Sequence, residues 1–319
     1  YNGRTIDFRS MRKIKAVWTE KFSGANSAAN LKLLGCGSGG CAFEDPDQTG
    51  KVQKCAADVG FDRELKMMKR VTQLMQASMP YSYIFGADSA ITGPPIHCAK
   101  EGTRNNEGKC MDLQRNPETR WMEQNIAAGG DLDGKFSTLI SSAANVKAYT
   151  FAYAYNYAAL KLAVTGGPAK FFHRDIKADN VFLIPVPTGK MGFCFKVKVS
   201  STDKYLCFSK DDLGGYMPAL ADWGESVVEG DYGGRGPGPS DGSSVDQLKL
   251  PALYQRMCEQ AGVLVDDGVK TKLGELATGS PGETWFPEAL GDAYFGAPRR
   301  DAPSNYVVVA APKVVKVAN

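Results

Sequence analysis

Histidine is nearly missing from this chain: His97 and His173 are the only two. No Cys-x-x-Cys pair occurs among its eight cysteines. Together these absences exclude the common structural zinc sites, which need four closely spaced thiolate or imidazole ligands. No run of eighteen apolar residues is present, so no transmembrane helix is expected. Asn-x-Ser/Thr is absent too, which removes glycosylation as a guide to compartment. The net charge of +3 is too small to imply a nucleic-acid partner, and none is expected.

What remains is an ordinary globular mixture. With 319 residues and 43% hydrophobic content, the chain can bury one large core or a two-lobed one. It begins at Tyr1 rather than Met, as expected of a processed product. The cysteines leave two alternatives open. Cys98 and Cys110 bracket a polar, Gly-rich stretch, and Cys194 and Cys207 lie in two β-rich runs joined by Ser200-Ser201-Thr202-Asp203. Either pair can bridge in an oxidising compartment, or all eight can be reduced thiols.

Residues 9–22 place Met11, Ile14, Val17, Trp18 and Phe22 at helical spacing among Arg9, Arg12, Lys13, Lys15 and Lys21. This predicts a basic amphipathic helix that packs on a domain surface or docks on an anionic membrane surface. Leu31–Leu34 predicts a strand running into Gly35-Cys36-Gly37-Ser38-Gly39-Gly40, and Val52–Ala56 a further strand after the turn at 45–50. Residues 60–77 predict a helix, residues 86–118 an extended insertion, and residues 143–164 a long helix stopped by Thr165-Gly166-Gly167-Pro168. A short apolar strand is expected at 181–184, an inserted β-hairpin within 185–218, a Gly/Ser/Pro-rich stretch at 228–244, and a helix over 245–261.

The chemistry is concentrated in His173-Arg174-Asp175-Ile176-Lys177-Ala178-Asp179-Asn180. Phosphoryl transfer needs a hydroxyl positioned and metal ions held. Asp175 can accept a hydroxyl proton, Lys177 can reach a transferred phosphate, and Asn180 can ligate Mg²⁺ through its amide oxygen. Asp222-Trp223-Gly224 supplies a second metal-ligating carboxylate, Asp222. Gly35, Gly37 and Gly40 form a loop whose backbone N–H groups can approach phosphates. Lys54, on the following strand, is placed to pair the α/β-phosphates and Glu64 on the next helix.

These motifs resemble those of the eukaryotic protein kinase family over about residues 31–260. The resemblance implies an α+β, two-lobed kinase fold. A small N-terminal sheet lobe with one main helix would span 31–124, behind an extension at 1–30. A mostly helical C-terminal lobe would span 125–319. It further implies ATP and Mg²⁺ as cofactors, with Asp175 and Lys177 catalytic and Asn180 and Asp222 as metal ligands. Gly35, Gly37, Gly40, Lys54 and Glu64 would bind nucleotide. Met122-Glu123-Gln124-Asn125 resembles the hinge that contacts adenine, with Met122, Glu123 and Asn125 nucleotide-binding, and Gly129-Gly130-Asp131-Leu132 resembles the turn after it. Asp246 would be structural.

Several departures accompany the resemblance. Lys54 and Glu64 are only ten residues apart, Asn180 and Asp222 are forty-two apart, and no Ala-Pro-Glu lies between Asp222 and Asp246. Trp223 stands where Phe is usual. The chain is most similar in style to the divergent secreted kinases of intracellular parasites, rhoptry kinases among them. That implies a secreted or secretory-organelle location, with the cytoplasm as alternative. The expected function is an ATP/Mg²⁺-dependent protein Ser/Thr kinase acting on a protein substrate. The alternative is a pseudokinase or binding scaffold on the same fold. Ser226, Ser240, Ser243 and Ser244 are the candidate phosphorylation sites between the motifs.

Overall fold

Glycines at both ends of a tight connection and alternating apolar residues produce the first hairpin in the computed structural model. The structure describes residues 32–37, 40–44, 51–56, 64–68, 90–92, 110, 113, 120–125, 127–165, 171–228, 239–278 and 292–309. The expected helix at 9–22, the turn at 45–50, Cys98 and most of the expected insertion at 86–118 lie outside them. The fold is mixed α+β and divides into two units, residues 1–62 with 87–124 and residues 63–86 with 125–319.

The first unit holds a five-stranded sheet in the order β1-β2-β3-β5-β4. Its strands are β1 (Lys32–Gly37), β2 (Gly40–Glu44), β3 (Lys51–Ala56), β4 (Ala90–Thr92) and β5 (Arg120–Asn125). β1 and β2 pair antiparallel down to Gly37↔Gly40, leaving only residues 38 and 39 between them, with a register shift at Leu33/Gly35. A core of Leu33, Cys41, Phe43, Cys55, Cys110 and Leu113 lies against this sheet, with Cys36 packed on it. β5 runs through Asn125, and Met122 pairs with Ala90 and is fully buried. The segment that resembles a hinge is strand over 122–125, and the boundary between the two units falls within it, between Gln124 and Asn125.

The second unit is organised by one helix, α1 (Ala143–Thr165). It is apolar on all sides, and Val146 through Leu160 is buried almost without interruption, the signature of a helix inside a core. Its tyrosines bring a polar tip into that core, and each hydroxyl finds a partner, as buried phenols require. Tyr149 donates to the carbonyl of Leu213 (3.0 Å), Tyr153 to Leu250 (3.1 Å) and Tyr155 to Lys196 (2.9 Å). One helix thereby ties together α2 (Pro239–Ala261), the strand residue Lys196 and the turn at Leu213. α3 (Asp267–Thr278) packs on α2, and the buried Lys161 ammonium caps its C-terminal carbonyls at Leu276 and Ala277. A cation at that end of a helix opposes the helix dipole.

Three small sheets complete this unit. β6 (Phe171–Phe172) pairs with β11 (Val227–Val228), and β7 (Val181–Pro185) pairs with β10 (Tyr216–Leu220), both antiparallel. The inserted hairpin is β8 (Gly192–Val199) and β9 (Thr202–Ser209), and β12 (Val307–Val309) adds to it in parallel. Cys194 and Cys207 sit opposite each other in the hairpin and are disulfide-bonded. A cluster of Phe151, Phe195, Phe208 and Phe295 rings fastens the hairpin to α1. Among the described residues no helix is long and apolar enough to cross a membrane.

Candidate functional site

The site is built outward from a buried carboxylate. Asp246, on α2, has no solvent exposure. Its Oδ2 accepts the backbone N–H of His173 (2.6 Å) and the hydroxyl of Tyr157 (2.8 Å), and its Oδ1 accepts the backbone N–H of Arg174 (2.7 Å). Two consecutive N–H groups converge on one carboxylate because Arg174 adopts a left-handed conformation, with φ at 68°. An L-residue pays about 1–2 kcal/mol to sit there, and the charged hydrogen bonds offset that cost. The loop is thus pinned at its first two residues, which sets the direction in which Asp175 leaves.

His173 is the second anchor. Its Nε2 donates to the carbonyl of Ala221 (2.9 Å), and its Nδ1 lies 3.4 Å from the backbone N–H of Asp175, which assigns the proton to Nε2. Its ring lies 5.0 Å from that of Trp223, which is buried and also contacts Phe171 at 6.5 Å. The larger indole is therefore accommodated between the histidine and the β6 strand.

Asp175, Lys177 and Asn180 come together. The Asn180 Nδ2 donates to the Asp175 carbonyl (2.7 Å) and carboxylate (2.8 Å), and Lys177 Nζ lies 3.1 Å from the same carboxylate oxygen. Burial pushes the Lys177 ammonium down, but the hydrogen bond and charge of Asp175, with Asp179 and Asp222 behind, outweigh it and raise it overall. Lys177 is therefore a permanent cation near neutral pH. With Nδ2 engaged, the Asn180 Oδ1 is the oxygen left to bind elsewhere.

The long sequence separation of Asn180 and Asp222 vanishes in space. β7 follows Asn180 directly and β10 ends just before Ala221, and the two strands pair with Val181 opposite Leu220. Ala221 N–H then donates to the Asn180 carbonyl at 2.8 Å. Whatever is inserted between the far ends of this pair, its near end keeps Asn180 beside Asp222. Asp222 is itself left-handed, with φ at 62°. Glu64, in the helical residues 64–68, is buried here too: a Cβ placed on Gly224 would lie 3.7 Å from Glu64 Oε2 and 3.6 Å from Asp222 Oδ1. The Gly129–Gly130 turn packs against the other side of β7. Gly129 N–H donates to Leu183 O (3.0 Å), and a Cβ there would come 2.5 Å from that oxygen, so only glycine fits.

Gly35, Gly37, Gly40 and Lys54 belong to the first unit, with Lys54 on β3 opposite Ala42. Cys36, between Gly35 and Gly37, and Cys41, after Gly40, are directly opposite each other and form a disulfide. Cys110 is disulfide-bonded as well. The pairing of Cys36 with Cys41 was missed from the sequence, although two cysteines flanking a strand–turn–strand glycine motif were the available signal. Also missed were Tyr157 as a ligand of Asp246 and the left-handed Arg174. The candidate Ser226 must be corrected. It is fully buried and its hydroxyl donates to the His173 carbonyl (3.3 Å), so it is a prop of the loop and closed to modification. Ser240, Ser243 and Ser244 fall within α2. No protein-family model matches the chain, and no curated protein matches it.

Proposed function

We propose that this chain is an ATP- and Mg²⁺-dependent protein Ser/Thr kinase with a two-lobed kinase fold. The observation that supports this best is the group of Asp175, Lys177 and Asn180, oriented from beneath by Asp246 and set beside Asp222. Asp175 would accept the proton of a substrate hydroxyl as it attacks, and Lys177 would neutralise charge on the transferred phosphoryl group. The donor set fits a hard cation: the Asn180 Oδ1 and the Asp222 carboxylate are both oxygens. Two protein oxygens suffice for Mg²⁺, which is commonly held by one or two protein ligands besides the phosphates. When bound, the ion would be held by Asn180 and Asp222 and would supply positive charge to neutralise the phosphates. In this reading Gly35, Gly37, Gly40, Lys54 and Glu64 are nucleotide-binding residues.

The test is radiolabelled phosphate transfer from ATP with Mg²⁺, to generic proteins and to the chain itself, beside Asp175→Ala. Asp175 is partly exposed, so the variant is expected to fold while transfer falls by at least about a hundredfold, the usual scale of a general base. Equal transfer by the variant refutes the assignment. A binding scaffold is the second reading. It is favoured by the short Gly- and Pro-rich stretch that replaces the usual substrate-docking segment, and absence of both transfer and thermal stabilisation by Mg-ATP would select it.

The disulfides at Cys36–Cys41 and Cys194–Cys207 favour an oxidising compartment, and hence a secreted or secretory-organelle protein. The basic 9–22 segment would then dock on anionic membrane surfaces. Liposome co-sedimentation should be lost on deleting residues 1–24, and retention after that deletion removes the idea.

A further inference from the structure

Three cysteines form a row across the first sheet. β1, β2 and β3 are neighbours in that order, Cys36 is registered opposite Cys41, and Cys41 is registered opposite Cys55. Directly opposed residues project from the same face of a sheet with their Cβ atoms about 5 Å apart. Here that face is the core: Cys41 and Cys55 are both buried in one cluster and Cys36 packs against it. Cys36 and Cys41 are joined as a disulfide and Cys55 is a free thiol.

We propose that Cys55 is the exchange partner of the Cys36–Cys41 disulfide, so that the sheet switches between a β1–β2 and a β2–β3 covalent link. Thiol–disulfide exchange is a substitution at sulfur, with attacking, central and leaving atoms close to a line. The register places the three residues side by side on one face in the order the reaction needs, with Cys55 attacking, Cys41 central and Cys36 leaving. Cys55 gives up its proton and its sulfur attacks the Cys41 Sγ. The Cys36–Cys41 bond breaks as the Cys41–Cys55 bond forms, and Cys36 departs as a thiolate that takes up a proton. No electrons enter or leave, so neither oxidant nor reductant is needed. Cys36 is the better leaving group of the pair because it is half-buried where Cys41 is closed off, so its thiolate meets solvent as it forms.

The resting form is Cys36–Cys41. Burial pushes the Cys55 thiol up to about 12, against a smaller opposing hydrogen bond from the Cys41 backbone, which keeps it protonated and slow to attack. After exchange, β1 is released from β2 beside Gly35 and Gly37, while β2 is fastened to β3 next to Lys54. The consequence falls on the glycine-rich hairpin, whatever that hairpin binds.

The experiment reads covalent connectivity, so its outcome is independent of whether the chain transfers phosphate. The full chain is held folded in mildly alkaline buffer, sampled over time, and quenched into acidic denaturant with N-ethylmaleimide. It is then digested without reduction and mapped by mass spectrometry. A Cys41–Cys55 linked peptide and an alkylated Cys36 are expected to rise together, and Cys55→Ser should show neither. In Cys36→Ser, glutathione disulfide as oxidant should join Cys41 to Cys55. An unlabelled Cys36 throughout the wild-type time course overturns the proposal, whatever the variants do. Alkylation of Cys36 at the same rate in Cys55→Ser overturns it equally, because another thiol would then be the attacker.

Discussion

Asp246→Asn is the sharpest probe of how the site is held. The carboxylate receives three hydrogen bonds, from the His173 and Arg174 amides and the Tyr157 hydroxyl. An amide side chain has the same shape but only one acceptor oxygen. Placed at Oδ2, that oxygen keeps His173 and Tyr157 and turns an NH₂ toward the Arg174 N–H. Placed at Oδ1, it keeps Arg174 and abandons the other two. At best one buried donor is left unpaired, costing about 1–3 kcal/mol, and two charged bonds become neutral ones at about 1 kcal/mol each. Against this, the variant no longer buries a charge, which returns a share of the desolvation penalty. The hydrogen bonds win because all three donors are already fixed by the backbone and by α1, so the net loss is about 2–4 kcal/mol. For a domain of this size that is a fall in Tm of roughly 5–15 °C. Denaturant titration measures the first figure and calorimetry the second. Amide exchange of the peptide covering 171–180 should lose protection in the same variant while β8 and β9 keep theirs. A variant as stable as wild type, or more so, would show that desolvation dominates and that Asp246 does not organise the loop.

Two further outcomes follow from local geometry and burial. Ser200 and Ser201 both have positive φ, at 47° and 65°, in the two-residue connection between β8 and β9. That is the type I′ geometry that Asn-Gly adopts with least strain, so Ser200→Asn with Ser201→Gly should gain about 1 kcal/mol in denaturant titration, and a loss would refute the turn assignment. Burial pushes the Tyr155 phenol far above its ordinary value near 10, so its neutral form is favoured in the fold. That stability is fully present below pH 10 and is lost as pH rises above it, where the unfolded phenol ionises and the folded one does not. Tyr155→Phe should be less stable at neutral pH by about 0.5–1.5 kcal/mol, for the bond to Lys196, yet show a shallower decline above pH 10. Parallel pH profiles for the two proteins would contradict the burial argument.

Much of the local structure was readable in the chain itself. The apolar run of Ala and Tyr over α1, the alternating runs of β8 and β9 around Ser200-Ser201, and the strand before Asp222 all follow from periodicity and turn chemistry. The octet from His173 to Asn180 was legible for the same reason: its members are close in sequence, so their proximity needs no knowledge of the fold. The strand character of 122–125 was not legible because a strand end and a connector share the same polar composition there. Ser226 could not be separated from the other candidate serines because a hydroxyl carries no sign of burial in the sequence.

The amino-acid sequence alone determined which groups are available: two acids, one lysine and one amide within six residues, a further acid before Trp223, and glycines at 35, 37 and 40. It also determined the local conformations those segments prefer, since propensity and hydrophobic period act over a few residues. The tertiary structure decided which distant groups meet. Asp246 comes under His173 and Arg174 because α2 packs on α1, and Asn180 stands beside Asp222 because β7 pairs with β10 across a long insertion. Cys36, Cys41 and Cys55 fall into one row because of strand order and register. Those pairings depend on which faces are buried against which, and burial is a property of the folded chain as a whole.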